Sequence, residues 1–466
     1  MLLSLRNALL ALALALAVLV AVPATGSANP RQVTTFEAPS ELLDASTRDR
    51  TLDEIRAFGV DRIRQLVYWT SFTARPNAKR KPSFDASNPN AYPAGTWNRL
   101  DALLAAATAR GIKVQLTLTG PVPTWATSTK RGHLTRPSAK LFGQFATAVG
   151  RRYGTQVDMW SIWNEPNQPQ FLLPQYRGRT PVSPGLYRNL YRAAVRGLRS
   201  TQANKSDAVL IAETSPRGNR NVVHPLAFLR GMTCLNGSYH RTKKCAKLDT
   251  QGYAHHAYTT RTGPRFVPPK DDVTIGVLTR LNVALDKAAR AKVLPRGLKI
   301  YLTEFGIQTT PDRISGVSYA KQAAYRAIAE HIAYVNPKVA LFSQYLMRDD
   351  KPRKSGYRYG GFETGLRRSN GRKKPSYESF RLPLAVENYG RNDVLWGLVR
   401  PYRQRTQVTV HVKPSKKAKW RKLRTVTTST RGVYGFSARH RKGQSYRVQW
   451  TSPTGARFTG PAIGAQ

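Results

Sequence analysis

Eight short apolar runs recur between residues 33 and 382, and helical patterns separate most of them. Each run has the length of a β-strand, and the stretches between carry apolar residues at helical spacing. The predicted strands are Thr34–Ala38, Arg62–Tyr68, Lys113–Thr119, Val157–Trp163, Ala208–Glu213, Thr250–Tyr258, Lys299–Phe305 and Val339–Leu346. The predicted helices include Trp97–Arg110, Ser138–Tyr153, Leu186–Thr201, Thr279–Ala291 and Ser318–Val335. This alternation is typical of a parallel sheet covered by helices.

The closed form of such a sheet fits better than the open form. Eight strands with eight connections suit a (β/α)8 TIM barrel, and no glycine-rich phosphate loop follows any of the runs. From Leu384 the pattern changes to short strands at Thr406–Val412, Leu423–Thr428, Val433–Ser437 and Tyr446–Trp450, with no helical period. We therefore predict a barrel domain over residues 29–383 and a small all-β sandwich over 384–466, packed against each other.

The first 28 residues have the features of a secretory signal peptide. Arg6 provides a positive charge, Leu9–Val22 is an unbroken apolar run, and Gly26-Ser27-Ala28 offers small residues for cleavage. The run is shorter than the roughly 20 residues that span a bilayer, so an uncleaved anchor is the less favoured alternative. We predict a secreted, extracellular protein with no transmembrane segment after cleavage.

Cys234 and Cys245 are the two cysteines of the chain. In an exported protein two cysteines eleven positions apart predict a local disulfide bond. Two cysteines alone do not make a zinc site, and His240 is the one nearby ligand at suitable spacing. We predict neither a metal site nor a cofactor.

Two glutamates stand where predicted strands end. Glu165 follows strand four in Trp160–Asn167 and Glu304 ends strand seven in Tyr301–Gly306. Active sites of such barrels lie at the C-terminal ends of the strands, and strands four and seven are nearly opposite in a ring of eight. Two carboxyl groups that face a substrate from both sides are what glycosidic cleavage requires.

These two stretches resemble the acid/base and nucleophile motifs of the large clan of retaining (β/α)8 glycoside hydrolases, which includes cellulase-like and β-xylosidase-like families. The resemblance covers most of Thr34–Arg381. It implies a retaining O-glycosyl hydrolase that needs no cofactor, with Glu165 as general acid/base and Glu304 as nucleophile. It further implies substrate-binding roles for Asn164, Arg64, His256 and Tyr258, with Arg64 and Tyr258 keeping Glu304 ionised.

Each of these residues has a plainer alternative. Glu213 ends strand five but lacks a preceding asparagine, so we do not assign it a catalytic role. His255 and His256 could bind a metal, but without a second cluster of ligands a hydrogen-bonding role is favoured. Arg64 could belong to a structural ion pair.

Sugar rings stack their C–H faces on aromatic side chains. We predict Trp69, Trp125, Trp163 and Tyr345 as stacking platforms, whereas Trp97 opens a helix. Strand eight reads Ala340–Tyr345 where the clan usually carries a tryptophan. The floor of the sugar pocket is therefore expected to differ from that of the clan.

The chain carries 75 lysines and arginines against 26 acidic residues, a formal charge of +49. Hydrophobic residues make up 41%, which excludes a wholly disordered polycation. Residues 385–466 hold 17 lysines and arginines against Glu387 and Asp393. Such a surface concentrates polyanions, so acidic glycans or envelope polymers are predicted partners of the tail, with solvated basic faces as the alternative and nucleic acid least favoured.

The sequence therefore predicts a secreted retaining hydrolase of O-glycosidic, usually β, bonds in a poly- or oligosaccharide. A barrel that binds glycans as an adhesin without cleaving them is the alternative from another class. A transglycosylase would use the same residues.

Overall fold

A computed structural model describes residues 29, 31–201 and 206–466. The predicted signal peptide lies outside the described residues. None of the helices in the described part is long and apolar enough to cross a membrane.

Eight parallel strands close into a barrel, as predicted. The strands are β1 Val33–Glu37, β2 Arg62–Tyr68, β3 Lys113–Thr119, β4 Met159–Ile162, β5 Ala208–Thr214, β6 Gly252–His256, β7 Lys299–Glu304 and β8 Val339–Tyr345. The ring closes where β1 pairs with β8 on one side and with β2 on the other. All eight predicted strands are present, and no observed strand end differs from the predicted one by more than two residues.

Nine α-helices of the described part cover or adjoin the barrel. They are α1 Pro39–Leu43, α2 Arg48–Ala57, α3 Asn98–Ala109, α4 Ala139–Tyr153, α5 Ser183–Arg199, α6 Pro225–Met232, α7 Leu278–Arg290, α8 Tyr319–Tyr334 and α9 Pro375–Arg381. Ser138 and Ser318 cap α4 and α8 by accepting hydrogen bonds from Leu141 N and Lys321 N, both at 3.3 Å. These caps satisfy backbone donors that the first helical turn leaves free.

The C-terminal region forms the predicted all-β unit from two antiparallel sheets. Its strands are β9 Leu384–Tyr389, β10 Asn392–Leu398, β11 Gln407–Lys413, β12 Arg421–Thr427, β13 Val433–Arg439, β14 Ser445–Thr451, β15 Arg457–Thr459 and β16 Ile463–Gly464. The first sheet has the order β9-β10-β13, and the second has the order β12-β11-β14-β15 with β16 beside β14. Leu384, Leu395, Val410 and Val448 share one buried core between the sheets. The unit is a sandwich.

The sandwich packs on α8 of the barrel through buried charges. The Arg400 guanidinium donates to both oxygens of Glu330, at 2.7 and 2.6 Å, and Arg326 donates to Glu330 Oε2 at 2.8 Å. All three side chains are at most 5% exposed. Ala323 and Ala324 of α8 complete the sandwich core.

We expect Glu330→Gln to destabilise the protein by about 3 kcal/mol, because it leaves two buried guanidinium groups without their counter-charge. Chemical denaturation followed by circular dichroism measures this loss. Glu378→Gln is the matched control, since its partners Arg381 and Lys373 hold it at a partly exposed site, and its cost should stay below about 1 kcal/mol. Equal losses in the two variants would contradict this account of the interface.

The Cys234–Cys245 disulfide bond predicted from the sequence is present. It closes part of the long connection between α6 and β6.

Candidate active site

A cleft of about 840 Å³ opens at the C-terminal ends of the barrel strands. Glu165, Glu304, Asn164, Tyr258 and Tyr345 all line it. Glu304 is the last residue of β7 and Tyr345 the last of β8, while Glu165 follows β4 by three positions. The prediction that strands four and seven bring their glutamates to one cleft is therefore met in the structure.

Arg64 lies at the centre of the barrel. Its guanidinium donates to Glu37 Oε2 at 2.5 Å, to Glu304 Oε2 at 3.0 Å and to Glu213 Oε2 at 2.7 Å. It also donates to Asn164 Oδ1 at 2.7 Å. Burial alone would lower the pKa of Arg64, but these carboxylates together raise it above its usual value. A fixed positive charge therefore sits beneath the cleft.

Glu304 receives a donor on each carboxylate oxygen. Arg64 bonds Oε2, and the Tyr258 hydroxyl donates to Oε1 at 2.8 Å. The two predicted partners of Glu304 are thus in contact with it, and together they fix the orientation of its carboxyl group.

Glu165 sits on a strained turn. Trp163 and Glu165 have positive φ values of 70° and 39°, which side chains other than glycine rarely adopt. Hydrogen bonds hold the turn, from Trp163 N to Leu118 O at 2.8 Å, from Asn164 N to Thr119 Oγ1 at 3.1 Å and from Glu165 N to Glu213 O at 3.1 Å. These hydrogen bonds offset the strain of the turn. The fixed conformation of the turn directs the carboxyl group of Glu165 into the cleft.

The environment of Glu165 favours its protonated form. Burial raises the pKa of Glu165 and the negative charge of Glu304 adds to that effect, against an opposing hydrogen bond with His256. His256 Nδ1 lies 2.9 Å from Glu165 Oε1 and 3.7 Å from Glu304 Oε2. Burial would lower the pKa of His256, but the charge of Glu304 and the hydrogen bond with Glu165 outweigh burial and raise it.

The carboxyl groups of Glu165 and Glu304 are close together. One oxygen of each lies within 4.8 Å of the other and of His256 Nδ1 or Nε2. Carboxyl groups that flank a scissile glycosidic bond are about 5 to 5.5 Å apart in retaining enzymes and roughly 6.5 to 9.5 Å apart in inverting ones. The nearest oxygens of Glu165 and Glu304 are therefore at least as close as the shorter of these two separations.

The same three side chains could offer donor atoms to a metal ion, and they form the one such group among residues 29, 31–201 and 206–466. The direct hydrogen bond between His256 and Glu165 accounts for their approach without a metal. His255 points elsewhere, since its ring nitrogens contact Thr214 Oγ1 and Val273 O at 2.9 and 2.8 Å. Burial lowers the pKa of His255 to about 4, so it is a neutral structural residue.

The structure corrects the prediction of tryptophan platforms. Trp69, Trp125 and Trp163 are 0%, 1% and 0% exposed, and none of them lines the cleft. Trp69 packs edge-on against Trp125, with ring centroids 5.5 Å apart, and Trp163 packs against Phe142. These three rings are part of the hydrophobic core of the barrel and are not available to a sugar.

Other aromatic side chains form the wall of the cleft. Tyr345, the one predicted platform that lines it, meets Phe362 edge-on at 5.0 Å between ring centroids, and Tyr258 lies 6.3 Å from Phe362. Phe362 is 40% exposed. Phe171 and Phe266 also line the cleft. The three phenylalanines were missed because they lie on loops with no strand pattern around them.

Glu37 and Glu213 were also not predicted as parts of the site. Both are buried, and both contact Arg64. Burial, opposed in part by Arg64 and reinforced by Glu304, raises the pKa of Glu37 to about 8. Their position at the ends of β1 and β5 was the available signal. Glu213 lies below the cleft as a partner of Arg64, in keeping with its exclusion as a catalytic residue.

A closed eight-stranded barrel with this carboxyl pair at its C-terminal end defines a (β/α)8 glycoside hydrolase. The family model of cellulases (glycosyl hydrolase family 5) matches residues 25–338, which is more than half of the chain. The chain belongs to this family.

Solved structures show the same fold at low identity. A family 39 glycoside hydrolase from the gut symbiont Bacteroides cellulosilyticus WH2 is 16% identical, with 90% of this chain and 81% of that chain covered and a TM-score of 0.53. GH5_18 from Streptomyces cattleya, solved in complex with GlcNAc, is 16% identical, with 75% and 79% covered and a TM-score of 0.52. No curated protein matches the sequence.

Proposed function

We propose that the protein is a secreted retaining glycoside hydrolase that cleaves β-linked O-glycosidic bonds of a poly- or oligosaccharide by double displacement. The observation that carries the proposal is the approach of Glu165 and Glu304 to within 4.8 Å in one cleft. So close an approach favours the retaining geometry, in which the second carboxyl group attacks the sugar directly, over the wider separation that an inverting enzyme uses to place a water molecule. The disulfide bond supports the proposed secretion, because such bonds persist in oxidising compartments.

In the first half of the reaction, a Glu304 oxygen attacks the anomeric carbon of the sugar. The bond between this carbon and the leaving oxygen breaks, and Glu165 gives its proton to that oxygen. The raised pKa of Glu165 keeps the proton available at the start. The product is a glycosyl ester on Glu304 and a free alcohol.

In the second half, the charge on Glu304 is gone because the carboxylate has become an ester. Burial still raises the pKa of Glu165, but the added effect of the Glu304 charge is gone. The pKa is therefore lower than at the start, and the ionised carboxylate can take a proton from water. Water attacks the anomeric carbon, the bond from this carbon to Glu304 breaks and releases the carboxylate, and the carbon returns to its first configuration. One environment therefore supports both roles of Glu165.

Asn164 and Arg64 prepare the site for the sugar. Arg64 holds the Asn164 carbonyl oxygen at 2.7 Å, so the amide N–H bonds remain for a substrate hydroxyl. The resemblance to the clan assigns this hydroxyl to the carbon next to the anomeric centre. Hydrogen bonds there contribute several kcal/mol to the transition state.

The pH profile of kcat/KM should fall on its alkaline side as Glu165 loses its proton. Because its pKa is raised, this fall is expected above the range of an ordinary glutamate. Removing His256 with a His256→Asn substitution takes away a group that lowers the pKa of Glu165. The alkaline limb should then move to higher pH, as measured with an aryl β-glycoside. A shift to lower pH would contradict the assignment of Glu165 as the acid.

The stereochemistry of the first-formed product tests the proposed mechanism. We expect proton NMR during hydrolysis of an aryl β-glycoside panel to show the β-anomer first, with the α-anomer appearing only by mutarotation. An initial α-product would reject double displacement. Absence of turnover across a broad panel of glycosides would favour a glycan-binding barrel instead.

A further inference from the structure

The outer face of the second sandwich sheet carries a row of three basic side chains. Lys422 of β12 pairs directly with His411 of β11, and His411 pairs directly with Arg447 of β14. Residues directly opposite in adjacent strands point to the same face, and like charges in such positions repel each other. Burial lowers the pKa of His411, and the charges of Arg447 and Lys422 lower it further. The sheet therefore places these three basic side chains side by side, with no acidic side chain within the row.

Carboxylates do not balance this face. Residues 385–466 contain two acidic residues, Glu387 and Asp393, and both are buried at 7% and 0% exposure. Glu387 pairs with Arg265 and His331, and Asp393 pairs with His440. Residues 385–466 also hold 17 lysines and arginines. The outer surface of the sandwich is therefore basic and has no acidic side chain to balance its charge.

A groove of about 480 Å³ runs along this sheet face beside the row. Its lining is polar and comes from neighbouring strands, namely Thr406, Gln407, Thr409, His411, Gln449, Thr451 and Arg457. Two buried polar atoms at the row, His411 Nδ1 and Arg447 Nε, have no hydrogen-bond partner in the described part of the chain. The Arg447 guanidinium stacks 4.4 Å from the Trp420 ring centroid, which holds its position. Hydroxyl groups, amide groups and the Arg457 side chain therefore line one concave surface, and His411 belongs to both this groove and the row.

We propose that this groove and the row Lys422, His411 and Arg447 bind an acidic polysaccharide, one whose sugar units carry carboxylate groups. Adjacent strands are about 4.8 Å apart, so the row extends over about 10 Å. A single carboxylate cannot contact its whole length, whereas a chain with repeated charges can. Threonine and glutamine side chains beside the cations suit sugar hydroxyls.

A nucleic acid fits this surface less well. Proteins that bind single strands stack bases on exposed aromatic rings along a basic groove. The groove here is lined by no aromatic side chain among the described residues, and Trp420 is engaged with Arg447. The proposal is independent of the catalytic mechanism, and it places a second glycan contact outside the cleft.

The test compares two double variants of the full-length protein by biolayer interferometry on immobilised polygalacturonate. K422Q/R447Q should weaken binding about tenfold, because two charge-assisted contacts are lost. K292Q/R296Q is the matched control, since it removes the same charge from exposed residues of the barrel between α7 and β7, and it should change binding less than about twofold. Polygalacturonate is α-linked, so the proposed β-specific hydrolysis does not consume it and the two proposals fail separately.

Binding of other polymers shows which class of anion the site prefers. If a sulfated polysaccharide binds as tightly as polygalacturonate, the proposed site is supported and its ligands include sulfated as well as carboxylated polysaccharides. Tighter binding of polyglycerol phosphate or single-stranded DNA at equal ionic strength would overturn the polysaccharide assignment, as would equal binding of a neutral β-glucan. Equal losses in both double variants would overturn the proposed location.

Hydrogen–deuterium exchange on the unmodified protein provides a readout that does not depend on the folding of a variant. Polygalacturonate should protect peptides that cover β11 and β14. Protection confined to the barrel would contradict the proposal.

Discussion

Glu304→Gln is expected to lower kcat for an aryl β-glycoside by at least about 10⁴-fold, since the amide cannot act as the nucleophile that forms the covalent intermediate. The amide is nearly the same size as the carboxylate but carries no charge and is a poor nucleophile. Tyr258 and Arg64 would still contact the side chain, so the fold and the binding of substrate should change little. Steady-state kinetics and a thermal melt measure the two effects separately.

The matched control for this variant is Glu378→Gln on α9. Its carboxylate pairs with Arg381 and Lys373 outside the cleft, so kcat should stay within about twofold of the unmodified protein. A Glu304→Gln protein that keeps more than about a tenth of the activity would assign the nucleophile to another residue.

Glu165→Gln should give a loss that depends on the leaving group. For alkyl or sugar leaving groups, kcat/KM should fall about 10²- to 10⁴-fold, because these oxygens need a proton as the bond breaks. For a dinitrophenyl glycoside kcat/KM should be nearly unchanged, since that leaving group departs as an anion. The kcat for the activated substrate should still fall, because attack by water on the glycosyl ester has lost its base.

A plot of log kcat/KM against leaving-group pKa provides the measurement. We expect a steeper negative slope for Glu165→Gln than for the unmodified protein. Equal loss with all leaving groups would contradict a role in proton donation and would point to a structural effect at the strained Trp163–Glu165 turn.

The sequence predicted the barrel because the strands carry their own signal. Arg62–Tyr68 and Lys113–Thr119 have the predicted bounds to the residue. The helix α2 over Arg48–Ala57 was missed, because it buries only Thr51, Leu52 and Ile55 and all its other residues except Ala57 are charged. Helix α5 begins at Ser183, three residues before its predicted start, because proline is tolerated in the first helical turn.

The candidate site was predicted where function follows from strand ends and local motifs, as for Glu165 and Glu304. The contacts of Arg64 could not be predicted, because its partners Glu37 and Glu213 come from other strands and meet only after the barrel closes. The prediction of tryptophan platforms was wrong for a related reason. Sequence marks a large aromatic residue near a strand end, but it does not tell whether the ring turns into the core or toward the cleft.

Trapping of the covalent intermediate tests the central claim most directly. We expect a matched 2-deoxy-2-fluoro glycoside with an activated leaving group to inactivate the protein, and peptide mass spectrometry to place one sugar on Glu304. The fluorine slows both steps, and the good leaving group keeps the first one fast enough for the ester to accumulate. A label on Glu165 or on a residue outside the cleft would contradict the account, as would rapid turnover of an aryl glycoside that leaves Glu304 unlabelled by its fluorinated analogue.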